Sequence, residues 1–213
     1  MLVGKLITFE GIDGSGKSTQ IQLLGAEFEK LGVPYKTFRE PGGTDLSEKI
    51  REILLDKDNI EMTPTAESLL FAAARAQLTV EQIKPAIAKG ECVICDRFTD
   101  STIAYQGYGR GLNIKNLEMI NNIATEGLTP DITFILDIDL GKASERMKAE
   151  APDRMESAGM DFFQKIRQGY HQIMEQNQSR CIVINGEQSQ ENVFNVINQI
   201  IMKRFKGELA CSN

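Results

Sequence analysis

Gly11-Ile12-Asp13-Gly14-Ser15-Gly16-Lys17-Ser18-Thr19 is the stretch that decides the fold. It matches G-x-x-x-x-G-K-[ST], a phosphate-binding loop, in the context that the pattern requires. Leu6-Ile7-Thr8-Phe9 before it is short, apolar and partly β-branched, and predicts a buried strand. Behind it Ile21, Leu24, Phe28 and Leu31 recur at helical spacing. Glycines let such a loop turn successive backbone N–H groups inward onto phosphate oxygens, and the helix N-terminus adds its dipole. Residues Gly11, Ile12, Asp13, Gly14, Ser15, Gly16, Lys17, Ser18 and Thr19 are therefore expected to bind nucleotide phosphates. Lys17 is expected to reach the β- and γ-phosphates, and Ser18 to ligate Mg²⁺.

Working outward, short apolar strands alternate with amphipathic helices. Strands are predicted at Tyr35–Arg39, Cys92–Cys95, Ile132–Ile138 and Cys181–Ile184. Asp45, with Glu48 behind it, is the expected cap of a helix whose apolar face is Leu46, Ile50, Ile53 and Leu54. Thr63-Pro64 opens a longer helix toward Ile87, which Pro85 kinks or breaks. Asp100 to Tyr108 reads as a polar helix or loop, and helices follow at Leu117–Thr125, from Leu140, at Asp161–Gln176 and at Glu191–Phe205. The pattern predicts an α/β, three-layer fold over residues 1–213 as one domain, with a five-stranded parallel sheet covered by helices on both faces. Polar residues about 148–160 read as a mobile lid. Ligands are expected beyond the carboxyl ends of the strands, where the phosphate loop, Glu40 and Asp96-Arg97 fall.

Composition narrows the function. The chain has 213 residues, 41% hydrophobic and 25% charged, with net charge −6 and a pI of about 5.0. That balance argues against a nucleic-acid polymer as partner, since such binding needs a broad basic footprint. No apolar run approaches the roughly 20 residues of a membrane span, and Met1 to Phe9 is too short for a signal-peptide core. Cys92 and Cys95 have C-x-x-C spacing, but residues three apart on a strand face opposite sides. They read as buried structural thiols, and the compartment expected for a chain with Cys92, Cys95, Cys181 and Cys211 is a reducing cytosol.

The phosphate loop alone leaves kinase, ATPase, GTPase and nucleotide switch open. No guanine-reading N-K-x-D segment is present, and no ATPase glutamate follows an apolar strand. Asp96 stands where a carboxylate could hold Mg²⁺ or its water. Arg97 beside it suits an anionic acceptor better than water.

Taken together, Phe9-Glu10-Gly11-Ile12-Asp13-Gly14-Ser15-Gly16-Lys17-Ser18-Thr19, Arg39-Glu40-Pro41-Gly42-Gly43-Thr44, Phe71-Ala72-Ala73-Ala74-Arg75-Ala76-Gln77, Asp96-Arg97-Phe98 and Ser101-Thr102-Ile103-Ala104-Tyr105-Gln106-Gly107 resemble, in order and spacing, the bacterial thymidylate kinases. The resemblance covers about Leu6 to Tyr170. It implies phosphoryl transfer from ATP to dTMP with Mg²⁺, giving dTDP for dTTP and DNA synthesis, by a cytoplasmic homodimer of P-loop NTPase fold. The alternative is another P-loop kinase of nucleosides or nucleoside monophosphates, and a non-catalytic nucleotide switch is the reading from another class.

Residue by residue, the resemblance implies that Phe71 stacks on thymine and that Arg75, one helical turn on, donates to a thymine carbonyl. Arg51 and Arg97 would hold the dTMP phosphate, and Gln106 the base edge, with Ser101 and Thr102 nearby. Tyr105 would pack against the 2′ side of the sugar, and Glu40 would stand beside the acceptor. Glu40–Pro41 is a candidate cis peptide. Position 14 is Gly, where some relatives carry arginine. The transition-state cation is therefore expected from Arg146 or Arg154, flanking the lid. Asp13 would position the acceptor rather than act as a base, because a phosphomonoester is already ionised near neutral pH. Ser18 and Asp96 are the expected metal ligands. His171, the only histidine, reads as structural. The Asn185-Gly186-Glu187-Gln188 turn is the candidate adenine contact.

Overall fold

Strand β1 (Leu6–Glu10) is wholly buried and lies at the middle of a five-stranded parallel sheet of order β2-β3-β1-β4-β5. The computed structural model describes residues 4–147, 154–155 and 158–205. The other strands are β2 (Tyr35–Arg39), β3 (Cys92–Asp96), β4 (Ile132–Asp137) and β5 (Cys181–Asn185). The helices are α1 (Lys17–Leu31), α2 (Asp45–Leu55), α3 (Pro64–Leu78), α4 (Lys84–Ala88), α5 (Thr99–Thr102), α6 (Ile114–Thr125), α7 (Leu140–Met147), α8 (Met160–Gln176) and α9 (Gln190–Arg204).

Period-two alternation splits the core into two layers. Ile7, Phe9, Ile94, Phe134 and Leu136 face α1 and α9, meeting Leu24, Phe28, Ile197 and Ile201. On the other face Leu6, Val93 and Cys95 meet Leu78, Ile83 and Ala86, while Ile135 meets Tyr105, Phe162 and Ile166. Helices thus cover both faces, as the unbroken apolar strands require. Cys92 and Cys95 fall in different layers, and both, with Cys181, are buried free thiols. Burial pushes the Cys95 thiol well above its ordinary value. Cys211, the 206–213 tail and most of the expected lid lie outside the described residues.

Several expectations need local correction. Thr44, not Asp45, caps α2: its hydroxyl accepts from Ser47 N at 3.1 Å, and Glu48 reaches back to Gly43 N at 2.7 Å. Of the apolar face expected on α2, Leu54 is buried but Leu46 and Ile53 are exposed. The helix opened by Thr63-Pro64 changes character at Thr79–Ile83, which form a π-helical turn, and Pro85 lies in the first turn of the short α4 beyond it. The segment read as a polar helix or loop is α5 followed by a π-helical turn at Ile103–Gly109, and it is buried. Its Asp100, Ser101, Thr102 and Gln106 have partners inside the protein, which hydrophobicity alone does not reveal.

Candidate functional site

Parallel register lines up the strand ends. Phe9 of β1 and Arg39 of β2 both pair with Asp96 of β3. The residues just beyond are Gly11 onward, Glu40 and Arg97, so three motifs scattered over the sequence meet at one edge. The backbone reinforces this: Arg97 N donates to Phe9 O and Glu40 N to Asp96 O, each at 2.9 Å. Glu40–Pro41 is cis.

Two cavities open there. The larger, about 690 Å³, lies over the phosphate loop and reaches Arg146, Gly186 and Gln188. The smaller, about 150 Å³, is lined by Phe71, Arg75, Tyr105, Gln106 and their neighbours. Asp13, Glu40, Arg51 and Arg97 line both, forming a shared wall of two carboxylates and two guanidiniums.

In the loop, Gly14 has φ +77°, and a Cβ there would come 2.5 Å from Ala143 O. No other residue fits that position without a shift. Lys17 is 6% exposed and donates to Gly11 O at 3.0 Å and Ile12 O at 3.1 Å. Burial lowers the pKa of its ammonium, with Arg97 adding to the effect. Ser18 Oγ donates to Asp96 Oδ2 at 3.2 Å. A hydroxyl beside a carboxylate at the loop is the hard oxygen donor set that suits Mg²⁺.

Arg97 occupies the left-handed region, φ 71°, rare for a non-glycine residue. Its Nη2 donates to Asp13 Oδ1 at 2.7 Å and its Nη1 to Gly11 O at 2.9 Å, and the guanidinium lies 4.9 Å from the Tyr105 ring centre. Burial opposes its charge, but Asp13 together with Tyr105, Tyr170 and Asp96 outweighs that and raises its pKa. Burial likewise works against ionised Asp13, yet Arg97 and Lys17 hold it down to about 2. Arg51 Nη1 donates to Pro41 O at 3.0 Å.

What holds Arg97 in that conformation is a residue the sequence reading left out. Glu10, fully buried, accepts from Phe98 N at 2.8 Å, from Ser101 N at 3.2 Å and from Tyr170 OH at 2.8 Å, so it pins the chain just after Arg97. Its position at the end of an apolar strand was the available signal: a carboxylate there is buried only if it is well partnered.

Arg75 is 2% exposed. Its Nε donates to Glu40 Oε2 at 2.7 Å, Nη1 to Thr102 Oγ1 and Asn121 Oδ1 at 2.8 Å each, and Nη2 to Phe98 O at 2.9 Å. Four of its five N–H groups are thus committed within the protein, leaving one on Nη2. Burial lifts the Glu40 carboxyl to about 7 against the pull of Arg75. Glu40 Oε1 has no hydrogen-bond partner among the described residues.

The two lid-flanking arginines stand at different places. Arg146 lines the larger cavity, with Nη1 3.3 Å from Gly14 O and 3.2 Å from Gly186 O. Arg154 donates from Nε to Leu54 O at 2.8 Å, and its Nη1 is 2.7 Å from Glu67 Oε2. Glu67, also missed from sequence, accepts from Gln106 and Arg110 as well. Glu67, Phe71 and Arg75 recur at i, i+4 and i+8 on α3, and that spacing was the signal. His171 lines neither cavity; its Nε2 lies 3.4 Å from Asp137 Oδ1.

Comparison with known proteins agrees with this arrangement. The thymidylate kinase family model matches residues 9–197. A thymidylate kinase of Caldanaerobacter subterraneus subsp. tengcongensis is 45% identical over 204 residues, spanning 96% of this chain and 98% of its own. One from Chlorobium luteolum is 48% identical over 211 residues, spanning 94% and 98%. One from Chlorobaculum parvum is 50% identical over 190 residues, spanning 84% and 87%. With the phosphate loop, the arginine-lined wall and the buried pocket in one site, and with that identity over nearly the whole chain, this protein belongs to the thymidylate kinase family.

Proposed function

We propose that this enzyme transfers the γ-phosphoryl group of ATP to the phosphate of dTMP, giving dTDP and ADP, and that the two cavities hold donor and acceptor. The observation that carries the reading is the shared wall of Asp13, Glu40, Arg51 and Arg97. It is the one stretch of lining common to both cavities, where an acceptor phosphate and a γ-phosphate would meet. Two guanidiniums there match a dianionic acceptor, which a bare nucleoside would not need.

In this reading the loop backbone and Lys17 hold the β- and γ-phosphates. Ser18 and Asp96 would hold Mg²⁺, which neutralises charge on the donor when bound. A dTMP phosphate oxygen attacks the γ-phosphorus as the bond to the β-phosphate oxygen breaks, and the electron pair leaves with ADP. The acceptor's second pKa is near 6, so the attacking oxygen already carries its charge and no residue need remove a proton. Asp13 orients Arg97, and Arg51 and Arg97 keep the two substrates' like charges together. Arg146, beside the loop, supplies the cation for the charge of the transferring group. Asn185 to Gln188 border the adenine, supported by Gly186 and Gln188 in the larger cavity wall.

At the acceptor end, Phe71 stacks on thymine and Tyr105 packs on the deoxyribose. The remaining Arg75 N–H meets a base carbonyl, and Glu40 Oε1 is available to a sugar hydroxyl. Ser101 and Thr102 serve indirectly, through Glu10 and Arg75. A coupled assay with ATP and a panel of nucleosides and monophosphates tests the reading. dTMP should be the preferred acceptor, and an equal rate with thymidine would overturn it.

The enzyme works as a homodimer in the cytoplasm. Pairing is supported by exposed Leu46 and Ile53 on α2, Leu69 on α3, and Met119 and Ile123 on α6, since α3 packs against both α2 and α6. The cytoplasm is supported by the buried free thiols of Cys92, Cys95 and Cys181. No described helix is long and apolar enough to cross a membrane. Sedimentation of the full chain should give twice the monomer mass, and a purely monomeric species would contradict the dimer.

A further inference from the structure

Glu67 sits in the first turn of α3, where an acidic residue usually faces water and the helix dipole. Here it is 1% exposed and surrounded by donors. Gln106 Nε2 reaches Oε1 at 2.8 Å, Arg110 reaches Oε1 and Oε2 at 3.2 Å each, and Arg154 Nη1 lies 2.7 Å from Oε2. Burial would raise this carboxyl's pKa, but the bonds from Gln106, Arg110 and Arg154 outweigh it and keep the group ionised.

An ionised carboxylate only accepts hydrogen bonds. The Gln106 amide must therefore turn its NH₂ toward Glu67, because the flipped amide would set two oxygens at 2.8 Å. Gln106 is 2% exposed, lines the smaller cavity with Phe71 and Arg75, and its Oε1 accepts no bond from the described residues.

We propose that Glu67 is a positioning residue for base selectivity: by holding the amide of Gln106, it fixes an acceptor rather than a donor toward the base. The inference rests on the reading that Gln106 faces the base in the smaller cavity. The wall then offers a donor from Arg75 and an acceptor from Gln106. Thymine and uracil present the complement, a carbonyl oxygen beside an N–H. Cytosine presents the reverse, an amino group beside a bare ring nitrogen. A glutamine free to rotate by half a turn could serve either edge, and one held by a carboxylate serves only the first.

The test uses the full-length enzyme and the ratio of kcat/KM for dTMP to that for dCMP. Gln106→Ala should lower the ratio by about tenfold or more, as losing a specific hydrogen bond to the base does. Glu67→Gln, whose own amide can donate and so frees Gln106 to flip, should lower it comparably, with the dTMP loss carried by KM. In the Gln106→Ala background, Glu67→Gln should lower it no further. A ratio kept by Glu67→Gln but lost by Gln106→Ala overturns the proposal, as does an equal further loss in the double variant. A ratio unchanged by Gln106→Ala would mean that Gln106 does not face the base, and the proposal falls with that reading. Should Glu67→Gln not fold, the wild-type enzyme still decides. Its Gln106 side-chain amide protons, identified by their absence from Gln106→Ala in NMR spectra, should exchange with solvent more slowly than those of exposed glutamines. Exchange at the exposed rate would overturn the assignment.

Discussion

Arg97 Nη2 and Asp13 Oδ1 lie 2.7 Å apart, joining the turn after β3 to the middle of the phosphate loop. The pair lines both cavities, so one ion pair joins their walls. Asp13 is held down to about 2, below its ordinary 3.8. A lowered carboxyl contributes stability above its unfolded pKa and loses it as pH falls through about 2, so Asp13 stays ionised wherever the enzyme works. Asp13→Asn should therefore lower kcat by tenfold or more, on the order of one positioning contact, and leave the acidic limb of the pH–rate profile in place. That limb belongs to the acceptor phosphate, near 6. If the limb vanished in Asp13→Asn, the residue would be a base.

Lys17 is buried against the loop carbonyls, Gly11 O and Ile12 O, and carries the loop's own cation. Lys17→Ala should keep the fold and lose transfer, with kcat falling more than ATP affinity, because the charge it meets grows in the transition state. Circular dichroism and isothermal titration with ATP separate the two effects. A near wild-type kcat would remove Lys17 from the mechanism.

Arg146 and Arg154 should part company. Arg146 stands at Gly14 and Gly186 over the larger cavity, while Arg154 is bound to Leu54 O and to Glu67, which holds Gln106 of the smaller cavity. Arg146→Ala should lower kcat on the order of 10³, as loss of a transition-state arginine does. Arg154→Ala should act mainly on the KM of dTMP. The opposite pattern in steady-state kinetics would reverse the assignment.

Tyr105 is 6% exposed, with Arg97 over its ring. A ribose 2′-hydroxyl packed on that ring would lose its water without a new partner, at about 1–3 kcal/mol, or roughly ten- to a hundredfold in kcat/KM. Tyr105→Ala should shrink the preference for dTMP over its ribonucleotide counterpart. An unchanged ratio, with both substrates slowed alike, would make Tyr105 a packing residue only.

Glu40 should make stability fall as pH rises. Its carboxyl is lifted from 4.5 to about 7 by burial, so between those values the folded chain keeps a proton that the unfolded chain has lost. That contribution is complete below 4.5 and gone above about 7. Urea unfolding of wild type and Glu40→Gln from pH 5 to 8 should show the wild type losing ground to the variant as pH rises. A pH-independent difference would mean that Glu40 does not titrate there.

The sequence by itself determined the sheet and the order of its layers. Unbroken apolar strands have to be covered on both faces, and the Gly11–Thr19 loop between strand and helix admits one geometry. Through the resemblance that its motifs carry, it also pointed to Phe71, Arg75, Arg97 and Gln106, which folding brings to the lining of one cavity. It misread α2, where Leu46 and Ile53 have the spacing of a core face but stand exposed, since periodicity marks an apolar stripe without saying what covers it. Only the tertiary structure decided the electrostatics. Position in the chain marks Glu10 and Glu67 but not what they hold, because folding brings Phe98, Ser101 and Tyr170 to one and Gln106, Arg110 and Arg154 to the other. Those partners are distant in sequence. A buried carboxylate takes its role from whatever surrounds it once water is gone, and local pattern does not carry that information.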